Sequence, residues 1–260
     1  MQYTDSIPPI LQKIVKRLKR ILNRSDLRIH PFDSVPLEIE ARWILDVGAN
    51  IGAVAEAALR SYPESHIICF EPVEATFEVL RNRLEPYSDR VTLINKALSD
   101  TNGTCEINIT SFHGANSIEA QSQFHKDLNP HVVEVSKETI ALVRLDDVAD
   151  QLGDHEIDVM KIDVEGHELK VLKGGIEFIK NRVDTIIIEI SLMRDESWEH
   201  QSVAEIFSFL NGLGFRLVNL FDFHHATPSR DTNLMCVQVD CVFRHISKLS
   251  RSNRAIAEKH

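Results

Sequence analysis

The residues able to do chemistry in this chain are acids at the ends of apolar runs. Asp46 sits near the end of Trp43-Ile44-Leu45-Asp46-Val47, Glu71 follows His66-Ile67-Ile68-Cys69-Phe70, and Asp163 follows the run Ile157–Ile162. Around Asp163, the segment Lys161-Ile162-Asp163-Val164-Glu165-Gly166-His167-Glu168 gathers three carboxylates and an imidazole. Glu189 stands inside the apolar run Ile186–Ile190, where a carboxylate is costly unless it is paired or opens onto a cleft. Gly48 and Gly52 lead from Asp46 into the helix former Ala53–Leu59. That order reads as strand, tight turn and helix N-terminus. Glycine lets the backbone approach a ligand closely, and a helix start offers free N–H groups and a positive dipole end.

A nucleotide-like ligand is expected at this turn. The NAD pattern G-x-G-x-x-G, with a pyrophosphate at the helix start, is missing here, and Asp46 would repel a pyrophosphate. The acid suits S-adenosylmethionine (SAM) better, because that ligand carries a cationic sulfonium and an ammonium. Its single carboxylate can still use the helix N-terminus. Glu71, at the second strand tip, can accept from both ribose hydroxyls, a feature that NAD and SAM sites share. The bland alternative makes Asp46 a turn residue and Glu71 a helix-capping acid.

The elements that must carry these residues follow from the hydrophobic pattern. Strands are expected at Trp43–Val47, His66–Phe70, Val91–Leu98, Ile157–Ile162, Thr185–Ile190, Phe215–Leu220 and Leu234–Phe243. Helices are expected at Gly52–Ser61, Val73–Leu84, after Glu168 with Leu169, Leu172, Ile176 and Ile179 on one face, and at Val203–Leu213. Alternation of this kind predicts a parallel sheet with helices on both faces and ligands at the carboxyl ends of the strands. The segment 99–144 breaks the rhythm as a β-rich excursion, with strands at Cys105–Ile109 and Val132–Val143. Between them, Ser111–Ser117 reads either as a wall of an acceptor site or as a plain surface loop.

Residues 1–42 differ from the rest. Ile10, Leu11, Ile14, Val15, Leu18, Ile21 and Leu22 recur at helical spacing among basic residues, which defines a basic amphipathic helix over 10–24. Its stripe has two readings: packing on the main domain or a second subunit, which makes an oligomer, or a peripheral contact with a membrane surface or an anionic substrate. The expected division is 1–42 for this helix and its connection, 43–245 for the main domain and 246–260 for a basic tail. A net charge of −10 argues against nucleic acid as a partner. No apolar run reaches the ~20 residues of a transmembrane helix, and no signal peptide is visible. The four cysteines, Cys69, Cys105, Cys236 and Cys241, lack C-x-x-C spacing and read as free thiols, with the cytoplasm as the expected compartment.

Several ordered motifs together resemble the FkbM family of SAM-dependent methyltransferases. They are Asp46-Val-Gly-Ala-Asn-Ile-Gly52, Phe70-Glu71-Pro72, Asn95-Lys-Ala-Leu-Ser-Asp100, Ala115-Asn-Ser-Ile118, Lys161 to Glu168, and Leu172-Lys-Gly-Gly175. The resemblance covers residues 43–243 and implies a Rossmann-like class I methyltransferase. That fold is an α/β sheet of seven mostly parallel strands, the last antiparallel, with the N-terminal basic helix added here. It implies O-methylation of a sugar, glycan or secondary-metabolite hydroxyl. Carried over, Asp46, Gly48, Asn50 and Gly52 hold the methionine part of SAM, Glu71 the ribose, and Asn95 and Ala97 lie near the adenine, while Asp163 faces the transfer site.

A sugar hydroxyl is a poor nucleophile until it loses its proton, and a positioned base contributes ~10²–10⁴-fold. Asp163 is the first candidate, with His167 and His113 beside it. A divalent metal such as magnesium, held by Asp163 and Glu189, is an alternative way to lower the hydroxyl pKa. His224-His225 are either acceptor-pocket or surface residues. Two competing functions stay open: a catalytically silent SAM-fold interaction module, and an NAD-linked oxidoreductase.

Overall fold

A computed structural model describes residues 41–119, 131–191, 203–226 and 235–247. The helix expected over 10–24, the connection up to residue 40 and the tail from 248 onward lie outside these residues. Ten strands and six α-helices are described. In chain order they begin β1 (Trp43–Val47), α1 (Ala53–Ser61), β2 (His66–Phe70), α2 (Glu74–Leu84) and β3 (Val91–Ile94). The excursion contributes β4 (Ala97–Leu98), β5 (Gly103–Thr110) and β6 (Glu134–Val143), followed by the short α3 (Leu145–Val148). The chain then runs through β7 (Ile157–Ile162), α4 (Glu168–Gly174), α5 (Ile176–Arg182), β8 (Val183–Ser191), α6 (Val203–Gly212), β9 (Phe215–Ala226) and β10 (Met235–His245).

Period-two alternation builds the two faces of the sheet. Leu45, Val47, Ile68, Phe70, Met160 and Ile162 pack on one side with α4, α5 and α6. Ile44, Ile67, Cys69, Val159 and Ile187 pack on the other with Ala55, Ala58 and Leu59 of α1 and Leu80 and Leu84 of α2. The sheet has seven strands in the order β3-β2-β1-β7-β8-β10-β9. Strands β3, β2, β1, β7 and β8 run parallel, and β10 is antiparallel to both of its neighbours. All parallel strands therefore end on one edge, at Val47, Phe70, Ile94, Ile162 and Ser191.

Three elements differ from the sequence pattern, the first being β9, which runs on to Ala226, six residues beyond the expected Leu220. The expected strand Val91–Leu98 is split after Ile94, and β4 joins β6 and β5 in a separate three-stranded sheet. The cause is local: the Asn95 amide donates to the carbonyls of Glu71 and Pro72 at 3.1 Å each, and Lys96 N–H donates back to Ile94. These bonds turn the chain before it can extend the ladder. The single helix expected after Glu168 is likewise two helices, α4 and α5, meeting at Gly175. Cys69 and Cys241 are buried free thiols, as expected, and Cys105 is a half-buried one. No helix among the described residues is long and apolar enough to cross a membrane.

Candidate active site

The turn after β1 is fixed by main-chain bonds. Gly48 and Ala49 N–H groups both donate to the Phe70 carbonyl at 3.0 Å, and Gly52 N–H donates to the Ala49 carbonyl at 2.9 Å. Gly48 has φ +80°, and a side chain there would place its Cβ 1.9 Å from the Asp163 carbonyl oxygen. Only glycine lets the loops after β1 and β7 lie backbone on backbone. Asn50, at φ 51°, donates its N–H to Glu71 Oε2 at 2.9 Å, and Val73 N–H reaches Oε1 at 3.0 Å. Each Glu71 oxygen keeps a lone pair for a ligand hydroxyl. Burial pushes the Glu71 carboxyl up to about 7, against the two N–H donors that favour its charge.

The loop after β7 is built from side chains. Lys161, 4% exposed, gives its ammonium to Asp163 Oδ2 at 2.8 Å. Burial disfavours the Lys161 charge, but Asp163, Asp46 and Asp240 outweigh it and hold the ammonium above its usual range. Glu165 takes φ 51°, a left-handed conformation that a non-glycine residue adopts at an energetic cost. Glu189 accepts from the Gln238 amide at 2.9 Å, and burial raises its carboxyl well above the usual range, with Asp163, Glu165 and Asp240 adding to the shift. One oxygen each of Asp163, Glu165 and Glu189 falls within 4.8 Å of the others.

A cavity of about 280 Å³ opens between these loops. Of the residues singled out by sequence, Gly48, Asn50, Glu71, Ala97, His113, Asp163, His167 and Glu189 line it, and so does the segment 112–116. Asp46, Gly52 and Asn95 do not. Asp46 is 1% exposed, one residue behind the wall, and neither of its carboxylate oxygens has a hydrogen-bond partner. Gly52 starts α1 at φ +78°, and a Cβ there would meet Leu80 Cδ1 at 2.6 Å, so it serves helix packing. The Asn95 amide is spent on bracing the Glu71–Pro72 turn. His113 Nδ1 lies 2.8 Å from Asn50 Oδ1. His167 is 2% exposed and has both ring nitrogens engaged, by Ser99 and Glu119. His224 and His225 belong to β9, but their side chains fall outside the described ones.

The sequence pattern assigns no role to Lys161, Gln238, Lys96 or Glu119. Lys161 did leave a signal, a charge inside the buried run of β7 that parallels Glu189 in β8. Gln238 left none, because a glutamine in a strand carries no such oddity.

Charge in this region is one-sided. Lys161 faces Asp46, Asp163 and Asp240, and Glu189, Glu165 and Glu71 stand next to these. Burial pushes the Asp46 carboxyl up to about 6, with Lys161 opposing and Asp163 adding. A shift of that size disfavours the ionised form by on the order of 3 kcal/mol, about what one fully buried Leu side chain contributes. A cationic ligand relieves that imbalance, so the donor set fits SAM in kind.

The sheet order, the antiparallel β10 and the ligand edge define a Rossmann-like class I methyltransferase fold. The crystal structure of a methyltransferase FkbM from Methylobacillus flagellatus KT shares it, with a TM-score of 0.50 and 18% identity over 83% of this chain and 46% of that one. Residues 46–217 match the Methyltransferase FkbM domain, and the chain belongs to that family. Among curated proteins it is 29% identical to Methyltransferase sdnD of Sordaria araneosa, over 66% of this chain and 73% of that one. It is 31% identical to the 2-O-methyltransferase NoeI of Sinorhizobium fredii, over 59% of this chain and 65% of that one.

Proposed function

We propose that this protein transfers a methyl group from SAM to a hydroxyl of a sugar, glycan or secondary metabolite. One observation carries the reading: a single cavity takes in the Gly48 turn, Glu71, Asp163 and the segment 112–116. Support for an oxygen acceptor comes from the relative named as a 2-O-methyltransferase. Glu71 would accept from the ribose, Gly48 and Asn50 of the turn after β1 would lie against the methionine part, and the surplus acids would face the cationic end. Bound SAM supplies a methyl group already activated on a positive sulfur. The protein's task is then alignment and proton removal. Asp163, held by Lys161 and a third exposed, is the base of choice. Phe112, 42% exposed, offers an apolar face beside the polar His113 and Asn116, a mixed wall that suits a hydroxylated ring.

A second reading adds a divalent cation on Asp163 and Glu189. The observation in its favour is that Glu165 joins the pair within ligand reach, and three oxygens suit magnesium better than two. In this case the cation lowers the hydroxyl pKa and Asp163 acts as a ligand.

Thermal shift with SAM, S-adenosylhomocysteine and NAD tests the donor. A rise of several degrees with the first two alone is expected, and none at saturating SAM would leave a silent module. Mass spectrometry of sugar acceptors incubated with protein and SAM, with and without EDTA, then reads the methyl product and separates base from metal.

A further inference from the structure

His167 lines the cavity, yet its ring is fully committed elsewhere. Nε2 lies 3.0 Å from Ser99 Oγ, and Nδ1 lies 3.4 Å from Glu119 Oε1. Glu119 Oε1 also accepts from the Lys170 ammonium at 2.9 Å. An ionised carboxylate only accepts, so Nδ1 carries the proton. A neutral ring then accepts from the Ser99 hydroxyl through Nε2. A protonated ring instead donates to Ser99 Oγ, whose hydroxyl turns to Asp100 Oδ1 at 3.3 Å. In either state no ring nitrogen is left for a substrate hydroxyl, which removes His167 from the candidate bases.

These bonds join segments distant in sequence. Glu119 stands two residues past the loop Ser111–Ser117, Lys170 is in the first turn of α4, and His167 is the residue just before that helix. A second tie runs beside the first: Ser117 Oγ donates to the Glu165 carbonyl at 2.7 Å and accepts from Glu119 N–H at 3.1 Å. The bond to His167 is the largest influence holding the Glu119 carboxyl down to about 2, against its burial and with Lys170 assisting. The latch is thus made of charge-assisted bonds in a partly buried place, where each contributes more than a surface pair does.

We propose that Glu119 is a positioning residue that acts through His167. It latches the acceptor wall, residues 111–117, onto the loop 163–168 that carries Asp163. The assignment of that segment as the acceptor wall rests on the function proposed above. The latch sets the distance between the hydroxyl-binding wall and Asp163, whereas the turn after β1 meets that wall at its other end, where His113 Nδ1 lies 2.8 Å from Asn50 Oδ1.

Hydrogen–deuterium exchange on the full chain, with titration of SAM in parallel, tests this. In Glu119→Ala the amides of Ser117 and Glu119 should exchange about tenfold faster than in the parent, with the strands of the main sheet unchanged and SAM affinity within twofold. Glu119→Gln keeps an oxygen that accepts from His167 Nδ1 and should restore most of the protection. Lys170→Ala removes the clamp from the helix side and should open the same amides to a smaller degree. Unchanged exchange in Glu119→Ala, or a Gln variant as open as the Ala one, overturns the latch. Loss of SAM binding in the unaltered protein would instead overturn the methyl-transfer reading, and leaves the exchange result standing.

Discussion

The loops after β1 and β7 lie side by side on neighbouring parallel strands, yet they are built in opposite ways. Both carry an acid near the strand end, and both place a non-glycine residue in the left-handed region, Asn50 in one and Glu165 in the other. The first is held mainly backbone to backbone, by Gly48 and Ala49 on the Phe70 carbonyl of β2, with Glu71 accepting from the Asn50 N–H. The second is held by side chains from elsewhere, among them Ser117 and Glu119. Their acids differ accordingly: Asp46 is buried and unpartnered, whereas Asp163 is a third exposed and paired with Lys161. A rigid backbone cradle suits a ligand common to a whole class of enzymes. A side-chain assembly suits the part that must change with the acceptor.

If this division of labour holds, substitutions in the two loops fail in different ways. The largest effect is expected in the second loop. Asp163→Asn removes the base or metal ligand while keeping its shape, and should lower turnover by ~10²–10⁴-fold, with SAM affinity nearly unchanged. Steady-state kinetics beside SAM titration checks this, and full turnover in the variant would take Asp163 out of the chemistry.

In the first loop the effect should fall on binding. Asp46→Asn removes a buried charge with no hydrogen bond to lose. Asp46 acts on the ligand through its charge alone, so SAM affinity is expected to drop by roughly 10-fold, the ~1–2 kcal/mol of a charge pair about 10 Å apart at an effective dielectric of ~20. The ligand-free protein should at the same time melt no lower at pH 8, because the cost of an ionised Asp46 is gone. Calorimetric titration and thermal melting together read this pair of outcomes. A variant that binds SAM as tightly as the parent would make Asp46 a structural acid only.

The same contrast explains how much was legible in the chain. Strands β1, β2 and β7 agree with the sequence pattern residue by residue, because apolar runs bounded by turns state their own length, whereas β9 runs six residues past the expected Leu220. The glycine turn and Glu71 were legible because a backbone cradle writes itself into glycine spacing and strand ends. The break after Ile94 was not, since it depends on where the Asn95 amide finds its acceptors. Asp46 was expected at the ligand and stands behind the wall, because alternation turns it to the face opposite Val47. Glu119 was invisible for a related reason: its partner His167 lies 48 positions away, and only the fold brings the two together.

The smallest expected effect is on pH dependence, and it tests whether the first loop is really poised for a cation. Burial raises Asp46 from 3.8 to about 6 and Glu71 from 4.5 to about 7. Between about pH 4 and pH 7 the folded, ligand-free protein therefore holds more protons than the unfolded chain. Its stability from these two groups is greatest below that window and declines as pH rises through it. Glu119 runs the other way, and its contribution is lost as pH falls from about 4.5 toward 2. A bound cation favours the ionised forms of Asp46 and Glu71, so SAM should recover more stability at high pH than at low. The SAM-induced rise in Tm is expected to be about 2–6 °C larger at pH 8 than at pH 5.5, since 1 kcal/mol moves Tm by roughly 2–4 °C in a domain of this size. Glu71→Gln should flatten part of that difference and Asp46→Asn another part. An equal rise at both pH values would mean that the acids behind the glycine turn do not sense the ligand's charge.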